Sequence, residues 1–178
     1  MPRYVALVRG VNVGGKNKLP MAELRALLES LGYGDVRTLI QSGNVVLTAS
    51  KAVKPATLET AIAKRFGISP AVVLRTPREL ENAIAANPFP RADTASLHIG
   101  FMAQKPAAPV VKTLDVARFQ PDELAIRGRE LYLHLPNGMG RSKLPAYVDR
   151  QLKIPTTVRN WNTVAKLLEL ALGDEATR

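Results

Sequence analysis

The same order of elements occurs twice along this chain, and that repetition constrains the fold more than any single motif. Residues 4–8 read as a buried strand rich in Val and Leu. A Gly- and Asn-rich loop follows, then Pro20 at a first helical turn, with Met21, Leu24, Leu27, Leu28 and Leu31 at helical spacing. Gly32 and Gly34 stop that helix. Strands at 35–40 and 44–48 are joined by a hairpin turn over 41–44. A second helix opens at Pro55, carries Leu58, Ala61, Ile62, Arg65 and Phe66, and ends at Gly67. Residues 71–75 form a fourth strand. Thr76-Pro77-Arg78-Glu79 then matches a capping box ahead of a helix bearing Leu80, Ala83 and Ile84.

The second half begins after the break at Asn87-Pro88-Phe89-Pro90. It reads as a strand at 97–102, a helix at 107–117, and strands at 124–127 and 130–135 around Gly128-Arg129. A helix through Leu152 and a short strand at 156–159 follow. Asn160 caps a last helix with Val164, Leu167, Leu168 and Ala171 inward, and residues 173–178 form a frayed tail. A shift of 84 residues lays Leu74-Arg75-Thr76 on Val158-Arg159-Asn160, and a shift of 86 lays Val45-Val46-Leu47 on Leu131-Tyr132-Leu133. Strand–helix–strand–strand–helix–strand, plus one extra helix, is the order of a split βαβ unit. The expected fold is therefore α+β, with two tandem ferredoxin-like (βαββαβ) subdomains at 1–92 and 93–178.

Composition narrows the partners. The 178 residues carry 25 basic and 15 acidic side chains, a net charge of +10. The excess is concentrated: residues 1–22 hold Arg3, Arg9, Lys16 and Lys18 with no acid, and residues 141–168 hold six cations against Asp149. Such patches point to an anionic partner, most simply nucleic acid. No apolar run approaches the roughly 20 residues needed to span a bilayer. The N-terminus enters a strand pattern at once, so a cytoplasmic protein with no membrane partner is expected. With no Cys there is no disulfide, thiol nucleophile or thiolate metal site.

Four clusters are rich in amides and cations and poor in acids. The first runs from Arg9 through Gly10, Asn12, Gly14, Gly15, Lys16 and Asn17 to Lys18. Glycines let a ligand approach backbone N–H groups, and such groups at a helix entrance form an anion cradle. Gly10-x-x-x-x-Gly15-Lys16 spells a phosphate loop up to the last position. There Asn17 replaces the Ser or Thr that would bind Mg²⁺, which argues against a nucleotide hydrolase and leaves two readings, a metal-free anion cradle or a tight strand-to-helix turn whose glycines are purely conformational. The second cluster, Gln41, Ser42, Gly43 and Asn44, reads either as a plain hairpin or as amides offered to a base edge or sugar. The third, Asn137, Gly138, Gly140, Arg141, Ser142 and Lys143, repeats the chemistry of the first, with Ser142 a candidate helix cap. Ser142 and Lys143 are adjacent and diverge by about 100° on a helix, so they make a poor catalytic dyad. The fourth is Arg159, Asn160, Trp161 and Asn162, with Trp161 either a helix staple or a stacking platform. His98 and His134 lie in strand patterns with no second ligand spaced from either, and each reads as a satisfied core or surface histidine.

Val8-Arg9-Gly10-Val11-Asn12-Val13-Gly14-Gly15-Lys16-Asn17, with Met21 and Leu24-Arg25 behind it, resembles the opening of the domain of unknown function 1697 family. So do the stretches 38–46, 137–144 and 157–163. The resemblance covers nearly the whole chain in order. It implies a small cytosolic α/β protein of two similar subdomains, and no established activity.

The reading these clusters favour is a binding module for an anionic partner, either nucleic acid or a phosphorylated small molecule. The two glycine loops would hold phosphate through backbone N–H groups, Lys16, Lys18, Arg141 and Lys143. Asn12, Asn44, Asn137 and Asn160 would read polar edges, and Trp161 would stack. The alternative is a small enzyme acting on a phosphorylated metabolite or nucleotide without metal or cofactor, using Ser42, Ser142 or Lys16. A third reading makes the clusters fold signatures, with function carried by a protein partner at an apolar patch.

Overall fold

The computed structural model describes residues 1–173; the tail expected at 173–178 therefore lies, beyond Gly173, outside the described residues. The first half contains β1 (Arg3–Val8), α1 (Met21–Ser30), β2 (Gly34–Leu39), β3 (Asn44–Thr48), α2 (Pro55–Phe66), β4 (Val72–Arg75) and α3 (Pro77–Ala85). The second contains β5 (Leu97–Met102), α4 (Ala108–Lys112), β6 (Glu123–Arg127), β7 (Glu130–His134), α5 (Leu144–Leu152), β8 (Thr156–Asn160) and α6 (Trp161–Leu172). The fold is mixed α+β, with two four-stranded antiparallel sheets ordered β2-β3-β1-β4 and β6-β7-β5-β8. Among the described residues, no helix is long and apolar enough to cross a membrane.

The sheets share a register. Ala6 pairs with Val45 and Leu74, and Gly100 pairs with Leu131 and Val158. Val45 to Leu131 is the 86-residue shift and Leu74 to Val158 the 84-residue shift seen in the sequence. One substitution compensates another at this point. A Cβ on Gly100 would lie 2.6 Å from Leu131 Cγ, so the larger Leu131 fills the space that the Ala6 methyl and Val45 divide between them.

Each core sits between helices and one sheet face. In the first half, Met21, Leu24 and Leu28 of α1 and Leu58 and Ile62 of α2 cluster with Ala6, Val8, Val45, Leu47 and Val72. In the second, Leu144, Tyr147, Val148 and Leu152 of α5 cluster with Met102, Leu131 and Leu133. The opposite face is dry as well: Val5, Leu7, Val46 and Val73 are buried, as are Ile99, Phe101 and Tyr132. Burial on both faces explains why β1 and β3 read as unbroken apolar runs rather than alternating ones.

Helix ends follow their sequence signals. Thr76 and Glu79 exchange hydrogen bonds through a capping box, and the Asn160 side-chain Oδ1 accepts from the Thr163 N–H, 84 residues after the corresponding Glu79. Gly67 closes α2 in the left-handed conformation, φ 69°. Pro20 is a step earlier than expected; it caps α1 from outside with extended backbone. The helix expected at 107–117 shrinks to α4 and a separate 3-10 turn at Ala117–Phe119, because the Thr113 hydroxyl bonds back to the Val110 carbonyl where the helix ends.

By compactness the chain divides into one unit of Met1–Asn82 with the segment from Lys166 on, and a second of Ala83–Ala165. The division runs through α3 and α6. Within the second unit the Tyr132 hydroxyl donates to the Ala83 carbonyl at 2.6 Å and Arg127 donates to that of Ala86 at 2.7 Å. Within the first, Arg3 donates to the Ala171 carbonyl at 3.0 Å. Each extra helix thus has a guanidinium at its negative end. Burial and the Glu130 carboxylate together push the Tyr132 phenol up to about 12, with Arg127 opposing, which keeps its proton on the Ala83 bond.

His98 on β5 gives the fold a pH dependence. Burial pushes its imidazole below the usual histidine range, against a hydrogen bond from the imidazole to the Ser96 backbone that works the other way. As pH falls through that range, the unfolded chain takes up a proton the folded chain refuses, so stability falls. Chemical denaturation at about pH 7.5 and about pH 5.5 should show a smaller loss for His98→Gln than for the native chain; equal losses would exclude His98 as the cause.

Candidate functional site

The first and second clusters meet in the first unit. Leaving β1, the chain makes a small hairpin: Val13 bridges Lys16, the Lys16 N–H donates to the Val13 carbonyl at 3.0 Å, and Gly14 and Gly15 turn with φ 57° and 73°. These angles are those of a two-residue hairpin turn that needs glycine. The Asn12 N–H donates to the Asn17 carbonyl at 3.1 Å, and Asn17 Nδ2 to that of Gly10 at 3.2 Å. Gly14, Gly15, Lys16, Asn17 and Lys18 form an exposed tip. The expected cradle at a helix entrance is not what the loop builds. Its turn closes at Lys16, and α1 starts only at Met21, behind Pro20, which has no N–H to offer.

Asn12 joins this hairpin to the β2–β3 turn. Its Nδ2 donates to the Leu19 and Gln41 carbonyls at 2.8 and 2.6 Å, and its Oδ1 accepts from the Leu19 N–H at 2.8 Å. Asn44 is fully buried, with Nδ2 donating to the Leu39 carbonyl and the Ser42 hydroxyl. Gly43 lies so close beneath the hairpin that a Cβ there would meet Val11 Cγ2 at 2.8 Å and the Val8 carbonyl at 2.9 Å. The turn itself is 40–43, one residue earlier than expected, and puts Ile40 at φ 51°. Both amide hydrogens of Asn12 and of Asn44 are thus engaged within the protein, on three backbone carbonyls and the Ser42 hydroxyl.

In the fourth cluster, Arg159 and Asn160 likewise have internal partners. Arg159 is buried, its Nη1 donating to the Val158 carbonyl at 3.0 Å, and desolvation pushes its guanidinium down to about 10. Arg75 repeats the arrangement in the first half, buried and donating to the Leu74 carbonyl at 2.8 Å. Alternation along β8 turns Arg159 inward while Val158 packs against the α5 core. Asn160 spends its carbonyl on the α6 cap, and Trp161 is the half-buried first residue of that helix.

The third cluster lines a hollow. Asn137, Arg141, Ser142 and Lys143 face Arg118, Phe119, Gln120, Pro121 and Asp122 around about 480 Å³, within the second unit. Ser142 fastens the two walls: its hydroxyl donates to Asp122 Oδ2 at 2.6 Å and accepts from the Leu144 N–H at 3.1 Å at the start of α5. Ser142 bonds the first N–H of α5 from one position outside the N-cap, Lys143, which has no side-chain cap of its own, and its hydroxyl proton points to the buried Asp122 carboxylate. Arg118 is held in place by aromatic faces, its Cζ 4.5 Å from the Tyr147 ring centroid and 4.9 Å from that of Phe119. Tyr147 is itself tied by its hydroxyl, which accepts from the Asp115 N–H at 2.9 Å.

Arg118 and Asp122 were not among the residues the sequence singled out. They fall in an irregular stretch with no periodicity or motif, and only the fold sets them against the loop at 137–143. Two further hollows adjoin in the same unit, of about 330 Å³ beside Ser96, His134 and Gly138, and about 410 Å³ beside Phe89, Glu123 and His134. His134 is a satisfied histidine, as its strand pattern suggested: its Nδ1 lies 2.8 Å from Glu123 Oε1, and its ring centroid is 5.7 Å from that of Phe89. Among the described residues, no group of three or more His, Asp or Glu side chains is placed to hold a metal ion.

The hairpin junction yields a stability test. Gly43→Ala combines contacts under 3.0 Å to one backbone oxygen and two valine side chains with positive φ, and should lower stability by about 2–4 kcal/mol. Lys16→Ala at the exposed tip should stay within about 0.5 kcal/mol of the native chain. Urea denaturation of both variants checks the contrast.

The chain matches, over residues 1–132, the model of the family described as Protein of unknown function (DUF1697). None of the curated proteins matches it. A solved structure described as a conserved bacterial protein from Streptococcus pneumoniae is similar, with 26% identity, a TM-score of 0.77, and coverage of 97% of this chain and 99% of that one. The family match ends at Tyr132, before the loop at 137–143, whereas the structural match extends across both sheets. With three quarters of its length matched, the chain belongs to the DUF1697 family of proteins of unknown function.

Proposed function

We propose that this protein is a binding module for a phosphate-bearing anionic partner, and that the hollow between 118–122 and 137–143 holds the phosphate. The observation that carries this reading is the grouping of Arg118, Arg141 and Lys143 with the Asn137 amide around about 480 Å³. Pockets of that size accept small ligands or a segment of a larger one. The one carboxylate in the wall, Asp122, is turned to the Ser142 hydroxyl, so a single acid faces three cations. Arginine suits the role because its planar fork matches phosphate oxygens. The exposed Lys16 and Lys18 of the hairpin tip add a second basic contact in the first unit.

Binding rather than chemistry fits the state of Ser142. Its oxygen caps α5 and its proton is given to Asp122, which describes a structural hydroxyl more than a nucleophile awaiting a base. We read the scaffold as two tandem ferredoxin-like units. The two strand orders, each placing the first strand of its half between the third and fourth, and the shared register support it. That fold hosts many functions and does not choose among partners. A cytoplasmic setting goes with this reading.

Fluorescence anisotropy with labelled RNA and DNA over a salt series tests it. Phosphate contacts make log K fall linearly with log salt, by about 0.7–0.9 per phosphate neutralised. Arg141→Ala and Lys143→Ala should each weaken binding and flatten the slope by about one contact. No binding at low salt to nucleic acid or to phosphorylated small molecules, or slopes untouched by both substitutions, would exclude this site.

A further inference from the structure

We infer that the partner is a single-stranded nucleic acid, with its backbone on the cationic hollow and a base stacked at Phe89 and His134. This rests on the anion-binding reading and deepens it. The three hollows of the second unit adjoin. His134 lines two of them, and the consecutive residues Asn137 and Gly138 line the third and its neighbour. One end carries Arg118, Arg141 and Lys143; the other carries Phe89 between Pro88 and Pro90, facing His134. Glu123 fixes the His134 ring at 2.8 Å, so the platform is set before any ligand arrives. Both rings are only half-buried, which leaves area for a third flat ring to cover.

A ligand that uses both ends needs negative charge and a flat apolar surface side by side. Inorganic phosphate and sugar phosphates supply only the first. A nucleic-acid strand supplies both repeatedly, and cationic grooves beside aromatic side chains are how single strands are held without reading sequence. In a duplex the base faces are hidden within the stack, so the aromatic end would go unused.

The test compares the full-length protein's affinity for two labelled strands of about 12 nucleotides, one of thymidine and one abasic, equal in charge, with a duplex alongside. The expected result is that the thymidine strand binds roughly 10-fold or more tighter than the abasic one. Phe89→Ala should erase that preference while leaving the salt slope unchanged, and Phe89→Leu, which keeps apolar volume, serves where alanine impairs folding. Lys143→Ala should weaken both strands alike. Equal affinity for the two strands with a normal salt slope would overturn the base-stacking inference and leave the anion site standing. Preference for duplex would overturn it too. Absence of binding to every strand even at low salt would remove the nucleic acid altogether, while phosphorylated small molecules would still test the anion site.

Discussion

Everything in this protein hangs on the pairing of two central strands with neighbours on both sides. β1 lies between β3 and β4, and β5 between β7 and β8, so each central strand gives up its whole backbone to ladders and both its faces to apolar packing. Such a strand cannot slip, because a shift of one residue would exchange the residues on its two faces and lose the match with both partners. Ala6 and Gly100 mark the same point in the two registers. The volume exchanged there, a methyl lost at Gly100 for a larger side chain at Leu131, is the kind of paired change that keeps packing density constant.

The loops are possible only because those registers are fixed. β1 ends beside the β2–β3 turn, and Asn12 uses that proximity to bond carbonyls on both loops. In the second half, the turn before β6 and the loop after β7 lie across a hollow because β6 and β7 pair from Glu123–His134 to Arg127–Glu130. The Asp122–Ser142 hydrogen bond then holds the two walls of that hollow together. Three cations against one carboxylate around the hollow leave its field positive. The four clusters look alike in sequence, yet the fold uses them differently. Two build a hairpin junction, one caps a helix and buries an arginine, and one lines a pocket.

Much of the scaffold was legible from residue order. Period and punctuation located every strand and nearly every helix, since buried strands need β-branched runs and helix ends need caps. The failures have local causes. At 107–117 the proline and Thr113 favour a short turn, and at Ile40 the hairpin begins on a β-branched residue with positive φ, which no propensity would suggest. The candidate site was legible only in part. Asn137, Arg141, Ser142 and Lys143 stood out because they are contiguous; Arg118, Asp122, Phe89 and the Glu123–His134 pair did not, because their partners are distant in sequence.

The sequence by itself determined the element order, the repeat with its shifts of 84 and 86 residues, the basic balance and the helix caps, because each depends on neighbours within a few residues or on composition. Only the tertiary structure decided which polar side chains are spent within the protein and which are left to meet a ligand. Asn12, Asn44 and Arg159 have the chemistry of ligand-binding residues, but the chain's own backbone carbonyls and the Ser42 hydroxyl take hydrogen bonds from them. A buried polar group must be satisfied wherever the fold places it, and that place is set by long-range strand pairing rather than by the residue's own neighbours.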